Sequence, residues 1–496
     1  MGSLIAGKAQ VSKSNPPPVD EGQEEVVANQ ANKTPNEIEE LRKEVQELRA
    51  LVLQQQQALL KIQERIDANA PSAGANGLVA RTVPVSLDRD SVNRHDSEEG
   101  SAPTPAISQP KAQKEAPLLA GWNGQHFFLR SADGNFEANL SGYAQVDFRG
   151  FQRGNHPPNT FLIRRARLGL EGKLLRDFDF KIEGDFADTT STLLRDFWIR
   201  FPRNQALVLT FGQFRVPYSQ EEIRRDAEQD FVERSLVNNL APSRSPGVMI
   251  SGVLHKGVIE YQLGAFNAKG LLALNTVGTA ETTGRLRFKP WNKSDNQWTK
   301  GFAFGGTYSM GRNAINGTSV RGLTESRSFT FFAPETVNGP IIRANGEFTW
   351  TIGPAALRGE YDQVNQFRNR LGPHGTNLPG LVAKGYMGQF TYLLTGENKS
   401  ESGSVTPKHP VYANEKGRRA FGAWELKFRY SSLQLADGTA RSNRAQTLYT
   451  GVNWYLTNYV RYVFDLGFER FRNPVLTPNP GDRSFFVTLS RIQVMW

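Results

Sequence analysis

From Phe136 to Trp496 the chain alternates in character with a period of two, and few folds accept such a pattern over so long a stretch. Phe136, Ala138, Leu140, Gly142, Ala144, Val146 and Phe148 alternate with Glu137, Asn139, Ser141, Tyr143, Gln145, Asp147 and Arg149. The rhythm returns in Phe178, Phe180, Ile182, Gly184 and Phe186 against Asp179, Lys181, Glu183 and Asp185, and again in Gly422–Tyr430 and Val460–Phe468. Successive strand residues point to opposite faces, so each segment has one apolar, often aromatic face and one face dense in charge. Roughly 16 such segments of about ten residues occur, a length that spans a bilayer when tilted. Soluble sandwiches also alternate, but their strands are shorter and their charged faces turn outward to water. The pattern therefore predicts an all-β transmembrane barrel of about 16 antiparallel strands with a polar lumen and a lipid-facing apolar surface. Clusters of Gly, Pro, Asn and Asp, such as Asn369–Pro379 and Pro474–Asp482, mark its turns.

Composition agrees with a barrel and excludes other classes. Only 38% of residues are hydrophobic, and no stretch approaches the ~18 consecutive apolar residues of a membrane helix. There is no cysteine, so disulfides, thiolate metal sites and a cysteine nucleophile are ruled out. His95, His126, His156, His255, His374 and His409 are scattered without metal spacing, and the glycines of Gly301–Gly306 open no helix that could cradle phosphate. Neither an enzyme nor a cofactor is expected. A nucleic-acid module would gather basic charge and aromatics on one surface, whereas here both signs alternate along every strand, so no nucleic-acid partner is expected.

The N-terminal quarter is of a different kind. Residues 1–33 are polar, Pro-containing and aperiodic, which predicts disorder, and Met1–Asp20 has no apolar run before a small-residue cleavage site. An export signal is expected to lie outside this stretch. Thr34-Pro35-Asn36-Glu37 forms a capping box, and Ile38, Leu41, Val45, Leu48, Val52, Gln55, Leu59, Ile62 and Ile66 then recur in steps of three and four. This predicts an α-helical coiled coil over 34–66, with Glu37/Arg42 and Glu44/Arg49 bridging parallel chains; its mixed core leaves dimer and trimer open. Residues 67–118, rich in Ala, Pro and Ser, read as a flexible linker to a barrel at 119–496.

Charge divides along the same line. Residues 1–118 hold 13 Lys and Arg against 17 Asp and Glu; the remainder holds 46 against 32, a net charge of +14. Arg165, Arg167, Lys173, Lys181, Arg195 and Arg200 fall on or near the polar face of consecutive strands. Strands ~4.8 Å apart bring such residues into one patch, and rings of basic groups at a narrowing select anions. The competing reading is a structural salt lattice with Asp179, Glu183, Asp185 and Asp196. Strict alternation points Arg165 and Arg167 inward and Arg164 outward. The segment Glu221–Leu240, preceded by the capping pattern Ser219-x-x-Glu222, predicts a short helix folded into the pore.

One set of motifs is more specific. Phe161-Leu162-Ile163-Arg164-Arg165-Ala166-Arg167-Leu168-Gly169-Leu170-Glu171-Gly172 is followed by Gly212-Gln213-Phe214-Arg215-Val216-Pro217-Tyr218-Ser219. Phe231-Val232-Glu233-Arg234-Ser235 and Ala241-Pro242-Ser243-Arg244-Ser245-Pro246-Gly247 come next. In this order they resemble the phosphate-selective porin O and P family, over roughly residues 120–496 and most closely over 136–255. The resemblance implies a homotrimer of 16-stranded outer-membrane barrels, each with a channel whose basic residues draw phosphate to a narrow constriction. Arg164 and Arg165 match its arginine positions, and Asp196 matches a constriction carboxylate that orients an arginine. The chain departs at Ser245, where an Asp is usual, and its central strands carry far more Phe than Lys. The coiled coil is similar to a periplasmic stalk that some members carry. The candidate pore residues are thus Arg164, Arg165, Arg167, Arg195, Arg200 and Asp196, and the expected partners are small phosphate-like anions, outer-membrane lipid and two further copies of the chain. The alternative is a structural tether, in which the stalk reaches peptidoglycan and permeation is incidental.

Overall fold

The computed structural model describes residues 118–152, 157–187, 193–267, 270–411, 420–477 and 483–496. The coiled coil and the segments flanking it lie outside these residues, save Leu118, which already begins a strand. A hairpin of β1 (Leu118–Trp122) and β2 (Phe127–Ser131) leads into β3 (Phe136–Phe151). Then follow β4 (Thr160–Leu174), β5 (Phe178–Asp185), β6 (Leu194–Asn204), β7 (Leu207–Arg215), β8 (Arg244–Leu254), β9 (Ile259–Phe266), β10 (Glu281–Phe288) and β11 (Phe302–Thr318). Two short strands, β12 (Gly322–Leu323) and β13 (Thr330–Phe332), pair only with each other. β14 (Thr336–Ile352), β15 (Ala355–Arg368), β16 (Leu378–Leu393), β17 (Ala423–Ala436), β18 (Ser442–Tyr455), β19 (Val460–Phe471) and β20 (Ser484–Met495) complete the wall. Every pairing is antiparallel, and β20 returns to β3, so β3–β11 and β14–β20 close as a barrel of sixteen strands.

Closure abolishes the edges that an open sheet would expose. At the seam, Ile492 lies opposite Val146 and Val494 opposite Ala144. Gly142 and Trp496 then exchange backbone hydrogen bonds of 3.0 Å in both directions. Gly142 is required there: a Cβ would come within 2.6 Å of the Arg167 carbonyl and 2.8 Å of the Trp496 ring.

The two faces sort as the alternation predicts. Val146, Leu168, Leu170, Ile182, Phe197, Ile199 and Phe211 are exposed on the outside, while Asp147, Arg167, Glu183 and Asp196 beside them are buried within. An apolar belt of this extent suits lipid, because a water-soluble monomer rarely exposes such a surface. One end of the barrel has tight turns, as at 175–177, 205–206 and 353–354. Seven of the eight tryptophans (Trp122, Trp291, Trp298, Trp350, Trp424, Trp454 and Trp496) cluster toward that end, as in an interfacial aromatic girdle. There Trp424 stacks on Trp454 at 5.2 Å, and both indole N–H groups donate to the Phe421 carbonyl. The eighth, Trp198, faces the lumen.

Three segments fold into the barrel. Residues 216–243, between β7 and β8, and 319–335, between β11 and β14, enter from the long-loop end; residues 394–411, after β16, enter from the short-turn end. Phe231, Val232, Leu236 and Leu240 from the first and Phe331 and Phe332 from the second pack on inward-facing Val364, Leu381, Leu433, Leu435, Val463, Phe485 and Leu489. The side of the lumen along β14–β20 is therefore filled, by this apolar core and by buried ion pairs such as Lys399–Glu425 and Lys427–Asp465. The single helix expected over Glu221–Leu240 is instead one turn, α1 (Gln220–Ile223), followed by 3-10 turns at Asp226–Glu228 and Leu236–Leu240. Ser219 Oγ accepts from the Glu222 N–H at 3.1 Å, as the capping pattern predicts. The helix stops because the carboxylates beyond it turn toward different wall arginines, which a continuous helix could not reach together.

Candidate functional site

Three buried carboxylates of the inward loop organise the lumen. Asp226 receives Arg234 at 2.5 Å, Arg215 at 2.6 Å, Arg167 at 2.8 Å and Arg165 at 3.3 Å. Asp230 receives Lys399 at 2.7 Å, Arg358 at 3.0 Å and Arg224 at 3.1 Å, with Gln389 at 2.7 Å. Glu233 receives Arg149 at 2.5 Å, Arg164 at 2.6 Å and Arg327 at 2.9 Å. Burial alone would raise these acids, but the cations around them hold all three well below the usual carboxylate range. Lys399 comes from the segment that enters at the opposite end, and Arg224 also donates to the Ser402 carbonyl at 2.9 Å. The two intruding segments thus meet in mid-barrel.

What remains open is off-centre. Three cavities run along β4–β10 among the described residues. The first, at the long-loop end, has about 660 Å³ and is lined by Arg164, Arg165, Arg167, Arg195, Arg215, Arg234, Arg244, Arg321 and Arg327 against Asp185, Glu222 and Asp226. The middle one, about 450 Å³, shares Arg167, Arg215, Asp226 and Arg244 with it. The third, about 670 Å³, lies at the short-turn end and shares Arg200, Ile223, Met249 and Gln262 with the middle one. The shared walls set the three chambers one after another along β4–β10. Each is lined by more cations than carboxylates, with the greatest excess at the long-loop end.

The six sequence candidates all lie along these chambers, in different states. Arg165 and Arg167 are ion-paired and buried; Arg167 also holds Asp185 at 2.9 Å and Glu183 at 3.3 Å. Arg164 faces inward too, a departure from strict alternation. A register shift opposite Gln145/Val146 leaves Arg164 without a partner on β3, and this bulge turns it to Glu233. Asp196 grips Arg244 in a fork, Nε to Oδ1 at 2.8 Å and Nη2 to Oδ2 at 3.2 Å. Arg195 lies 3.9 Å from Asp185. Arg200 differs from the rest. It lies over the Trp198 ring, 4.4 Å from its centroid, and makes no ion pair or hydrogen bond among the described residues.

Sequence reasoning missed two further cations of this kind. Arg225, just after α1, lines the middle chamber, and Arg321, in the second intruding segment, lines the first; both side chains are exposed and neither is ion-paired among the described residues. They sit on loops, where a period-two pattern carries no signal. The order of free guanidiniums from the long-loop end is therefore Arg321, Arg225, Arg200.

In comparison with known proteins, the family profile described as phosphate-selective porin O and P matches residues 136–468. Porin O of Pseudomonas aeruginosa is 20% identical over 420 residues, which covers 74% of this chain and 90% of that protein. Among solved structures, an anion-selective porin from Comamonas acidovorans is similar at 13% identity and a TM-score of 0.47, covering 72% of this chain and 99% of that one. The outer membrane channel DcaP of Acinetobacter baumannii is similar at 12% identity and a TM-score of 0.47, covering 76% and 100%.

Proposed function

The chain belongs to the phosphate-selective porin O and P family, and on that premise we propose an outer-membrane pore for passive uptake of small anions such as phosphate. The observation that carries the reading is the chain of free guanidiniums, Arg321, Arg225 and Arg200, along a path with a cation excess in every chamber. Guanidinium stays charged and presents forked donors suited to phosphate or carboxylate oxygens. Low-dielectric walls focus the field of such groups and raise the local anion concentration. The paired arginines have a different task. Arg164, Arg165 and Arg167 hold the intruding loop through Glu233 and Asp226, which fixes the bore, while Asp196 aims Arg244 across the path. Water fills such a pore and no cofactor takes part. The functional unit is a homotrimer in outer-membrane lipid, with residues 34–66 as a parallel coiled coil in the periplasm and 67–118 as its linker; peptidoglycan is the neighbour within reach of such a stalk.

Reversal potentials across a planar bilayer in a KCl gradient test the assignment. The parent protein should prefer anions, and replacing Arg200, Arg225 and Arg321 together by Gln should bring the preference close to none. Raising salt should weaken the preference of the parent, since the Debye length falls from ~10 Å at 0.1 M to ~3 Å at 1 M. A cation-selective parent overturns the proposal.

A further inference from the structure

We propose that the middle chamber is a binding site for anions with a flat apolar body, aromatic carboxylates such as benzoate, in preference to phosphate or acetate. The inference rests on the anion-pore reading and assigns its substrate class.

The lumen of a membrane barrel is ordinarily polar. This chamber is so only in part: among its charged walls stand Trp198, Phe214, Pro217, Ile223 and Met249. Trp198 is also the one tryptophan of the eight that lies away from the girdle. Its position cannot be assigned to anchoring in lipid, because Phe197 and Ile199 on either side of it take the outward face. The strip does not end at the chamber, since Ile223 and Met249 also line the next one. A phosphate ion has no surface to set against such a strip. A benzoate ring does, and its removal from water adds to binding in proportion to the apolar area covered.

The charged wall suits the other half of the ligand. Arg200 and Arg225 border the chamber with no ion-pair partner among the described residues. The carboxylates of the chamber are occupied: Glu171 holds Lys181 at 3.3 Å, Glu183 holds the same lysine at 3.1 Å, Asp196 holds Arg244, and Asp226 holds four arginines. A carboxylate can therefore meet Arg225 or Arg200 while its ring lies beside Ile223 and the Arg200–Trp198 pair, with Phe214 and Met249 packed behind. About 450 Å³ leaves room for a single-ring anion with some water.

Chloride current through the reconstituted pore, titrated with benzoate, acetate or phosphate, tests this. Benzoate should reduce the current by half at a concentration about tenfold below that of acetate or phosphate. Trp198→Ser and Met249→Ser, each checked for heat-modifiable migration on a gel, should remove most of that advantage. If one variant fails to fold, the other and the three-anion series on the parent still decide. Equal inhibition by the three anions in an anion-selective pore overturns this proposal alone. A pore that excludes anions altogether overturns it together with the reading on which it rests.

Discussion

Arg165 on β4 and Arg200 on β6 are the same residue type on the same face of the wall, one strand between them, yet one is spent on structure and the other has no ion-pair partner among the described residues. The difference lies in what enters the lumen. Arg165 and Arg167 meet Asp226 from the intruding loop, whereas no carboxylate of that loop reaches Arg200. Strand periodicity alone could identify both as inward-facing but could not tell them apart, since the deciding partner lies some sixty residues further along the chain. Nor could it place Arg164, whose direction depends on a bulge. The distinction has a measurable form. Arg165→Ala with Arg167→Ala leaves Asp226 with two of its four cations and should lower the temperature at which the folded band disappears from a gel. Arg200→Gln should leave that temperature unchanged and shift the reversal potential toward zero. The reverse pattern would mean that the roles have been exchanged.

At the scale of elements, the strands were legible and the intruding segments were not. Alternation of Phe, Leu and Ile with charge specifies a strand wherever one face meets lipid. It fails along Phe485-Phe486-Val487, where the inner face meets the apolar loop core and the outer face meets lipid, so both faces are greasy. The capping of α1 by Ser219 could be read from four residues, but the length of the helix could not, because Asp226, Asp230 and Glu233 are drawn to arginines and a lysine far away in sequence. Asp230 is the strongest test of that pull. Asp230→Asn leaves Lys399, Arg358 and Arg224 around a neutral group in a site without water access, which by comparison with broken buried pairs costs about 3–5 kcal/mol. Single-channel records of this variant should show larger, noisier conductance as the loop and the 394–411 segment separate; a quiet record of parental amplitude would argue against their mutual anchoring. Acid should have little effect in the parent. Since all three carboxylates titrate below their ordinary range, their contribution is complete above about pH 4 and is lost only as the pH falls through the lowered values. Seating of the loop, read as open-channel noise, should therefore be the same at pH 7 and pH 5.

For the whole molecule, sixteen strands and their two faces follow from a pattern that any one segment carries only weakly but that recurs around the barrel. What the pattern could not reveal is that the side of the lumen along β14–β20 is solid. The absence of cysteine makes this directly testable. Single cysteines at Trp198 or Ile223 should react with a water-soluble thiol reagent and cut the current, while cysteines at Leu435 or Ala383, inside the apolar core, should not react. Reaction on both sides would place the path on the barrel axis. The stalk expected over 34–66 stands apart from this architecture. A peptide of that segment should gain helicity with concentration and sediment as a trimer, and a monomer at high micromolar concentration would remove it from the assembly.

The uneven distribution of charge along the path has an electrical consequence. Nine arginines face three carboxylates in the chamber at the long-loop end, while five cations face three carboxylates in the last chamber. In that last chamber Glu401 and Glu260 also hold Arg287 and Lys289. A conductor that is strongly anion-selective at one mouth and weakly so at the other behaves as a diode. When anions are driven inward from the cation-rich mouth, carriers of both signs accumulate where the two regions join, and current rises; when the field is reversed, that junction is depleted. The current–voltage curve of a uniformly oriented population should therefore bend, with more current for anions travelling from the long-loop end, and Glu401→Gln should straighten it.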